Sequence, residues 1–404
     1  MNVFKMGWRG IWRNRRRTGV TVAATSLGLL TMILYAGLME GYLRGMEASV
    51  LDLEVGDMQV HADDYRENPS IYTRIQDPEA LIAPLEAAGL RATGRLLAFG
   101  MAASGDASAG VSFRGVDVER DARVSLIHDQ LAQGSWLDPA EPSQVVLGRR
   151  IARTLAVEPG DELLVLSQGA DGSMAYDLYT VRGILLGVSA ATDRTGMFMT
   201  QAAFRELFVV PDGVHQIIVR RPADLDLASA AVRVQGLAGA LDVRTWRQLL
   251  PTVASMMDSA RAAIVVMFVI IYIAIGILIL NAMLMAVFER VREFGVMKAL
   301  GVSPLGVLRL ILVESAIMTG IAIAIGVGLG VPGLIYLSEV GLNLSSLAGV
   351  SIMGLAMDPH WRAVITPDVF RLPIVTLVSI VAIAVVYPAV KASLISPIEA
   401  MRYR

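Results

Sequence analysis

Residues 281–304 read NAMLMAVFERVREFGVMKALGVSP. A long uncharged run, Ala262–Phe288, stops abruptly at Glu289-Arg290, and Arg292-Glu293 follow at once. After Phe294-Gly295 and Lys298 the chain turns apolar again. On a helix Glu289 and Arg292 are i, i+3 neighbours, as are Arg290 and Glu293, so they can pair along its surface. Phe294, Met297 and Leu300 would then share an apolar side. Gly301 suits the position just past a helix end, and Ser303-Pro304 suits an N-cap followed by proline at the first turn of the next helix. A loop that merely needs solvation accounts for residues 289–293. It does not account for a capped, amphipathic segment. The spacing predicts a separate short helix offering Phe294, Met297 and Leu300 to a groove on another protein.

The surroundings are those of a membrane protein. The chain has 404 residues, 54% of them hydrophobic and 18% charged, with a mean hydropathy of +0.57. Soluble domains rarely reach that average. Four segments have the length and apolarity to span a bilayer, which takes about 20 residues: Thr18–Met39, Ala262–Phe288, Leu310–Leu337 and Leu372–Val390. The expected organisation is an α-helical membrane protein with four transmembrane helices and a large mixed α/β domain between the first two. Its divisions are an amphipathic helix (1–17), a first span (18–40), an extracytoplasmic domain (41–260) and a second span (261–288). A short connecting helix (289–307), a third span (308–337), a loop (338–371), a fourth span (372–390) and a tail (391–404) complete it.

Basic residues set the expected orientation. Lys5, Arg9, Arg13, Arg15, Arg16 and Arg17 precede the first span, Arg290, Arg292, Lys298 and Arg309 lie between the second and third, and Lys391, Arg402 and Arg404 follow the fourth. All three lysines of the chain are in these segments. Both termini and the 289–307 segment are therefore expected in the cytoplasm, with the large domain extracytoplasmic. In the first segment Phe4, Trp8, Ile11 and Trp12 recur at helical spacing with the cations elsewhere around the turn. That pattern predicts a retained interfacial helix rather than a cleaved signal.

The large domain alternates strand and helix patterns. LEVGDMQVHA (53–62) reads as a strand, 96–117 as two strands around a turn, Val118–Leu131 as a helix, and GADGS (169–173) as a hairpin tip. The expectation is two consecutive lobes, 41–127 and 140–245.

Several chemistries have no residues to carry them. There is no cysteine, and the four histidines (His61, His128, His215, His360) show no metal-ligand spacing. No lysine follows a glycine, so a phosphate-binding Walker loop is absent. Net charge is −2, which does not point to nucleic acid. The chain reads as non-enzymatic, with no cofactor of its own. Any ATP and Mg²⁺ would be bound by a partner ATPase. Glu314 is the one acid in the third span; a neighbouring cation such as Arg309 is its expected partner rather than a proton relay. Gly326 to Gly330 fits small-residue helix packing. Met32, Tyr35 and Met39 on the first span, with Met267 and Tyr272 on the second, are candidates for a lateral cavity that takes acyl chains, methionine suiting variable apolar partners.

ERVREFGVMKALGVSPLGVLRLILVES (289–315) resembles the signature of FtsX/MacB-type ABC transporter permeases. WRGIWRNRRRT (8–18), SQVVLGRRIARTLAVEPGDELLVL (143–166) and VYPAVKASLISPIEAMRYR (386–404) resemble further family elements, in the family's order. The resemblance implies a bacterial inner-membrane protein whose large domain is periplasmic, working as a dimer of permease chains, a second copy or a paralogue, beside two ATPase subunits. The helix between spans two and three would be the coupling helix, moved by the ATPase. The matching residues are Glu289, Arg290, Arg292, Glu293, Phe294, Gly295, Lys298, Ala299, Leu300 and Gly301. The chain is most similar to the lipoprotein-releasing (LolC/LolE) type. That similarity implies a lipoprotein substrate drawn from membrane lipid and a periplasmic carrier, with the hairpin near Ser167–Leu178 in the carrier-binding place. The alternatives within the family are a peptide or antibiotic efflux permease and an FtsX-like regulator of a cell-wall hydrolase.

Overall fold

The structure is a computed structural model, which describes residues 6, 8, 9, 12, 15–343 and 360–394. The segments 1–17, 338–371 and 391–404 therefore lie partly outside the described residues. Two compact units emerge. One is Gly45–Ser255; the other takes the described residues up to Arg44 and those from Met256 onward.

Helix α1 (Arg15–Val50) ends in a π-helical turn, Leu51–Val55. The α/β unit then runs β1 (Met58–His61), α2 (Glu79–Ala87), β2 (Arg91–Ser104), β3 (Ala107–Val116), α3 (Val118–Val124), β4 (Leu131–Gly134), β5 (Gln144–Leu147) and α4 (Arg149–Leu155). It continues with β6 (Glu162–Gln168), β7 (Met174–Leu185), α5 (Ala190–Thr195), β8 (Gly196–Thr200), α6 (Gln201–Phe208), β9 (Gln216–Arg220), α7 (Leu227–Ala238), β10 (Asp242–Thr245) and α8 (Trp246–Leu249).

Two strand systems share β2. Its first residues, Arg91–Arg95, pair with β9, which pairs with β1, which pairs with β10. Helices α2 and α7 bury Ile82, Leu85, Ala230 and Val234 with Met58, Val60, Ile217 and Val219 of this sheet. From Arg95 onward β2 pairs with β3, and the pairings β3–β8, β8–β5, β5–β7, β7–β6 and β6–β2 close a ring of six strands. Closure leaves no free edge within the ring. Leu96, Phe113, Val145, Val165, Tyr179 and Met197 join Ile151, Phe204 and Phe208 from α4 and α6 in one core.

The lobes are thus nested, not consecutive. The first and last parts of the unit build one lobe and the middle forms the other, which corrects the expected division into 41–127 and 140–245. Strand pairing over long sequence separations decides this, and hydropathy does not encode it. Two local expectations also change. Of 53–62 only Met58–His61 is a strand. The helix expected to reach Leu131 stops at Val124: Ser125 Oγ donates to Leu53 O at 2.8 Å, and the Leu126 amide donates to Asp52 O at 2.6 Å, drawing the chain off the helical path.

At the handover on β2 two polar side chains, Arg95 and His215, are fully buried. Arg95 forms a two-pronged ion pair with Asp121, Nε–Oδ1 2.7 Å and Nη2–Oδ2 2.9 Å. His215 Nδ1 accepts from the Leu97 amide at 2.9 Å, so its proton sits on Nε2, 3.2 Å from Ile71 O. Burial pushes the His215 pKa down to about 4, and that of His61 likewise, so both rings are neutral.

The other unit holds four helices long and apolar enough to cross a membrane. They are α1, α9 (Pro251–Glu289), α11 (Pro304–Glu339) and α12 (Pro367–Leu394), with the short α10 (Val291–Ala299) after α9. At 1.5 Å per residue, α9 is roughly 58 Å long, well beyond a ~30 Å hydrocarbon core. The α1–α11 contact uses small residues. A Cβ on Gly326 would lie 3.0 Å from Leu29 Cδ2, and one on Gly330 3.3 Å from Ile33, whereas Gly328 has nothing within 4 Å. Strands β11 (Leu342–Asn343) and β12 (His360–Trp361) pair antiparallel, and Trp361 Nε1 donates to Leu38 O at 2.9 Å.

Candidate functional site

Helix α10 is set off by its ends. Arg290 leaves helical geometry at φ −111° and ψ 12°, so α9 stops at Glu289. At the other end the Val302 amide donates to Met297 O and the Gly301 amide to Lys298 O, both at 3.0 Å. That is a Schellman closure, and it needs the positive φ of Gly301, +92°. Ser303 then caps α11, its Oγ accepting from the Gly306 amide at 3.2 Å with Pro304 in the first turn. The capping pattern read from 301–304 is present.

The outward face differs from the expected one. Phe294 is only 2% exposed and packs with Val287, Val307, Leu310 and Ile311, while Met297 is half-buried against the same cluster. Val291 and Gly295 share that buried side. The exposed side is Arg292, Val296, Ala299 and Leu300, with Val296 51% and Leu300 81% exposed. These four follow i, i+4, i+7, i+8, a single helical face. The segment has two apolar stripes, and the bulkier one, carrying the aromatic ring, packs inward. Phe294 and Met297 therefore hold α10 in place, and only Leu300 of the expected trio faces outward.

Two charged side chains fasten α10 to its neighbours. Arg290 Nη1 donates to Glu314 Oε2 at 2.7 Å and its Nε to Glu293 Oε2 at 3.2 Å, with the guanidinium 5.4 Å from the centre of the Phe294 ring. Glu314 is thus partnered by Arg290, not by Arg309. Arg309 lies five residues before Glu314 on α11, about 140° around the helix at 100° per residue, and is exposed. At the other end Lys298 Nζ donates to the Ser393 carbonyl, in the last turn of α12. A cation there also complements the negative end of that helix. Partial burial lowers the Lys298 pKa from its ordinary value. Glu289 is the exposed last residue of α9.

Comparison with known proteins bears directly on this arrangement. Residues 265–397 match the family model for the FtsX-like permease C-terminal region. Residues 18–237, more than half of the chain, match that for the MacB-like periplasmic core domain. The chain belongs to the FtsX/MacB permease family. The lipoprotein-releasing system transmembrane protein LolC of Xylella fastidiosa is 27% identical to it over 310 residues, 72% of each chain. LolC of Neisseria meningitidis serogroup B is 23% identical over 406 residues, covering 96% of this chain and 94% of that one. The pyoverdine export ATP-binding/permease protein PvdT of Pseudomonas fluorescens is 24% identical over 380 residues, 88% of this chain and 56% of that one.

The permease does not gather the five candidate cavity residues into one surface. Met32 and Tyr272 are fully buried among the four long helices, and the Tyr272 hydroxyl donates to Pro373 O at 2.7 Å. Tyr35 and Met39 are half-buried, Tyr35 lying edge-on to Phe268 at 6.0 Å, and Met267 is exposed. Met32 and Tyr272 are packing residues: both fall on the inward stripes of their helices, which uniform hydropathy does not distinguish from lipid-facing ones.

The permease also carries an apolar surface that sequence reading missed. On the ring's outer side Met101, Leu166 and Tyr176 stand in one row, and Ala103, Leu164 and Leu178 in the next. Phe99 and Met174 extend it. Phe99, Met101, Met174, Tyr176 and Leu178 are exposed. A contiguous patch of this kind marks an interaction surface more often than scattered apolar residues do. The signal was legible only in part: β7 reads MAYDL, with apolar side chains at alternate positions that the fold turns outward.

Proposed function

We propose that this chain is the membrane subunit of a MacB-type ABC transporter that does mechanical work on its periplasmic domain. α10 and the termini face the cytoplasm. Two ATPase subunits, which hold the ATP and Mg²⁺, receive the exposed Ala299–Leu300 end of α10 from each of two permease chains. The carrying observation is the fastening of α10: Arg290 to Glu314 of α11, Lys298 to Ser393 of α12, and Phe294 in the apolar core. A displacement of α10 then moves three elements together, and α9 continues unbroken from Glu289 back to Pro251. The two LolC relatives support lipoproteins as the substrate class, taken from the outer leaflet and passed to a periplasmic carrier. The apolar patch of Phe99, Met101, Tyr176 and Leu178 is the surface for that carrier or its cargo.

The test is co-purification with the cognate ATPase. Ala299→Glu with Leu300→Glu places two carboxylates on the outward face and should abolish association, leaving the permease folded. Glu293→Lys and Gly295→Trp should leave ATP hydrolysis running without transport. Retained association in the double variant, or transport in both single variants, rejects the coupling assignment. The PvdT relative supports a second reading, export of a small amphiphile. Photocrosslinking from Tyr176 separates the two, trapping an acylated protein or carrier in the first case and neither in the second.

A further inference from the structure

A cavity of about 570 Å³ opens beside α10, lined by Met6, Arg9, Arg290, Arg292, Glu293, Val296, Met297 and Leu310. Its chemistry is divided. Three guanidiniums and one carboxylate line part of it; Met6, Val296, Met297 and Leu310 supply an apolar wall. Arg290 is engaged by Glu293 and Glu314, so Arg9 and Arg292 are the cations that set the sign of the site. Next to Arg9, Trp8 and Trp12 are exposed, with ring centres 6.0 Å apart, and the Arg15 guanidinium lies 5.6 Å from the Trp12 ring. Exposed tryptophans beside basic residues, at the end of a span, mark the headgroup level of a bilayer.

We propose that this cavity binds one anionic phospholipid of the leaflet that α10 faces. The phosphodiester sits on Arg9 and Arg292, and an acyl chain lies along Met6, Val296, Met297 and Leu310. A soluble anion would use the cations and leave the apolar wall wet; a zwitterionic lipid would bring its own cation against them. Basic pockets at helix ends on the cytoplasmic side hold acidic lipid headgroups for this reason. The site joins the N-terminal segment to α10, so an occupying lipid would brace the element that carries the coupling face. The inference needs neither the ATPase nor the substrate reading, because the chain alone should bind.

The experiment is native mass spectrometry of the purified full-length chain in neutral detergent. It is titrated with phosphatidylglycerol, with phosphatidylcholine of the same chains, and with inorganic phosphate. Phosphatidylglycerol should bind at least tenfold tighter than phosphatidylcholine. Arg9→Gln should weaken it about fivefold and Arg9→Gln with Arg292→Gln about twenty-five-fold, the loss expected for one and two cations near an anionic surface. Val296→Trp, which fills the apolar side without altering a charge, should weaken it as well, with circular dichroism confirming the fold of each variant. Equal binding of the two lipids, or variants that bind as the native chain does, overturns the proposal. So does displacement of the lipid by millimolar phosphate, which would identify a site for the free anion.

Discussion

Arg290 holds two carboxylates, and their environments predict that they are unequal. The Arg290 side chain is 14% exposed and that of Glu314 9%, whereas that of Glu293 is 39% exposed. Charges about 4 Å apart attract by roughly 4 kcal/mol where the effective dielectric constant is near 20, and removing one member of a buried pair costs about 3–5 kcal/mol because the other is left desolvated. An exposed i, i+3 pair contributes about 0.5 kcal/mol. Glu314→Gln should therefore destabilise the helical unit by about 3 kcal/mol and Glu293→Gln by less than about 1 kcal/mol. The assay is SDS titration of the detergent-solubilised chain, followed by circular dichroism, on Glu293→Gln, Arg290→Gln, Glu314→Gln and the Arg290→Gln/Glu314→Gln double variant. The double variant should cost less than the sum of the singles, with a coupling energy on the order of 2 kcal/mol. Equal losses for Glu293→Gln and Glu314→Gln, with coupling below about 0.5 kcal/mol, would refute the reasoning. Arg290 would then be held by its own helix, and α10 would not be fastened to α11.

Three other outcomes follow from the same geometry. Arg95→Gln should cost about 3–5 kcal/mol in thermal unfolding of the α/β unit, since the side chains of the Arg95–Asp121 pair are 1% and 3% exposed; Arg95→Met with Asp121→Leu should recover most of it, and no recovery would show the charges themselves are needed. His61 and His215 have folded-state pKa values lowered to about 4, so below about pH 6.5 the unfolded chain takes up protons that the folded one does not. Stability should be full above pH 6.5 and fall as pH drops towards 4, by on the order of 3 kcal/mol per histidine, and His215→Asn should flatten the slope measured by urea unfolding across that range. Gly330→Leu should separate α1 from α11 and lower SDS resistance by about 1–3 kcal/mol, while Gly328→Leu, with open space around it, should change nothing.

Much of this protein is written locally. Runs of apolar residues long enough for a bilayer, the Gly301 closure, the Ser303-Pro304 cap and the Gly326–Gly330 spacing each depend on neighbours within a few residues, so a linear reading reaches them. The four long helices, the ends of α10 and the family signature come from that level. Tertiary structure decided the rest. Arg290 meets a carboxylate 24 residues away, and Lys298 meets a carbonyl 95 residues away. Which stripe of α10 turns inward depends on what α9 and α11 present to it. The nesting of the lobes rests on β2 pairing first with β9 and then with β3, and the exposed patch forms only where β2, β6 and β7 come into register. Hydropathy along a chain records how apolar each residue is, and helix or strand period records which residues share a side. Neither records what that side meets, because the partner is chosen by contacts between distant segments, and those exist only once the chain has closed on itself.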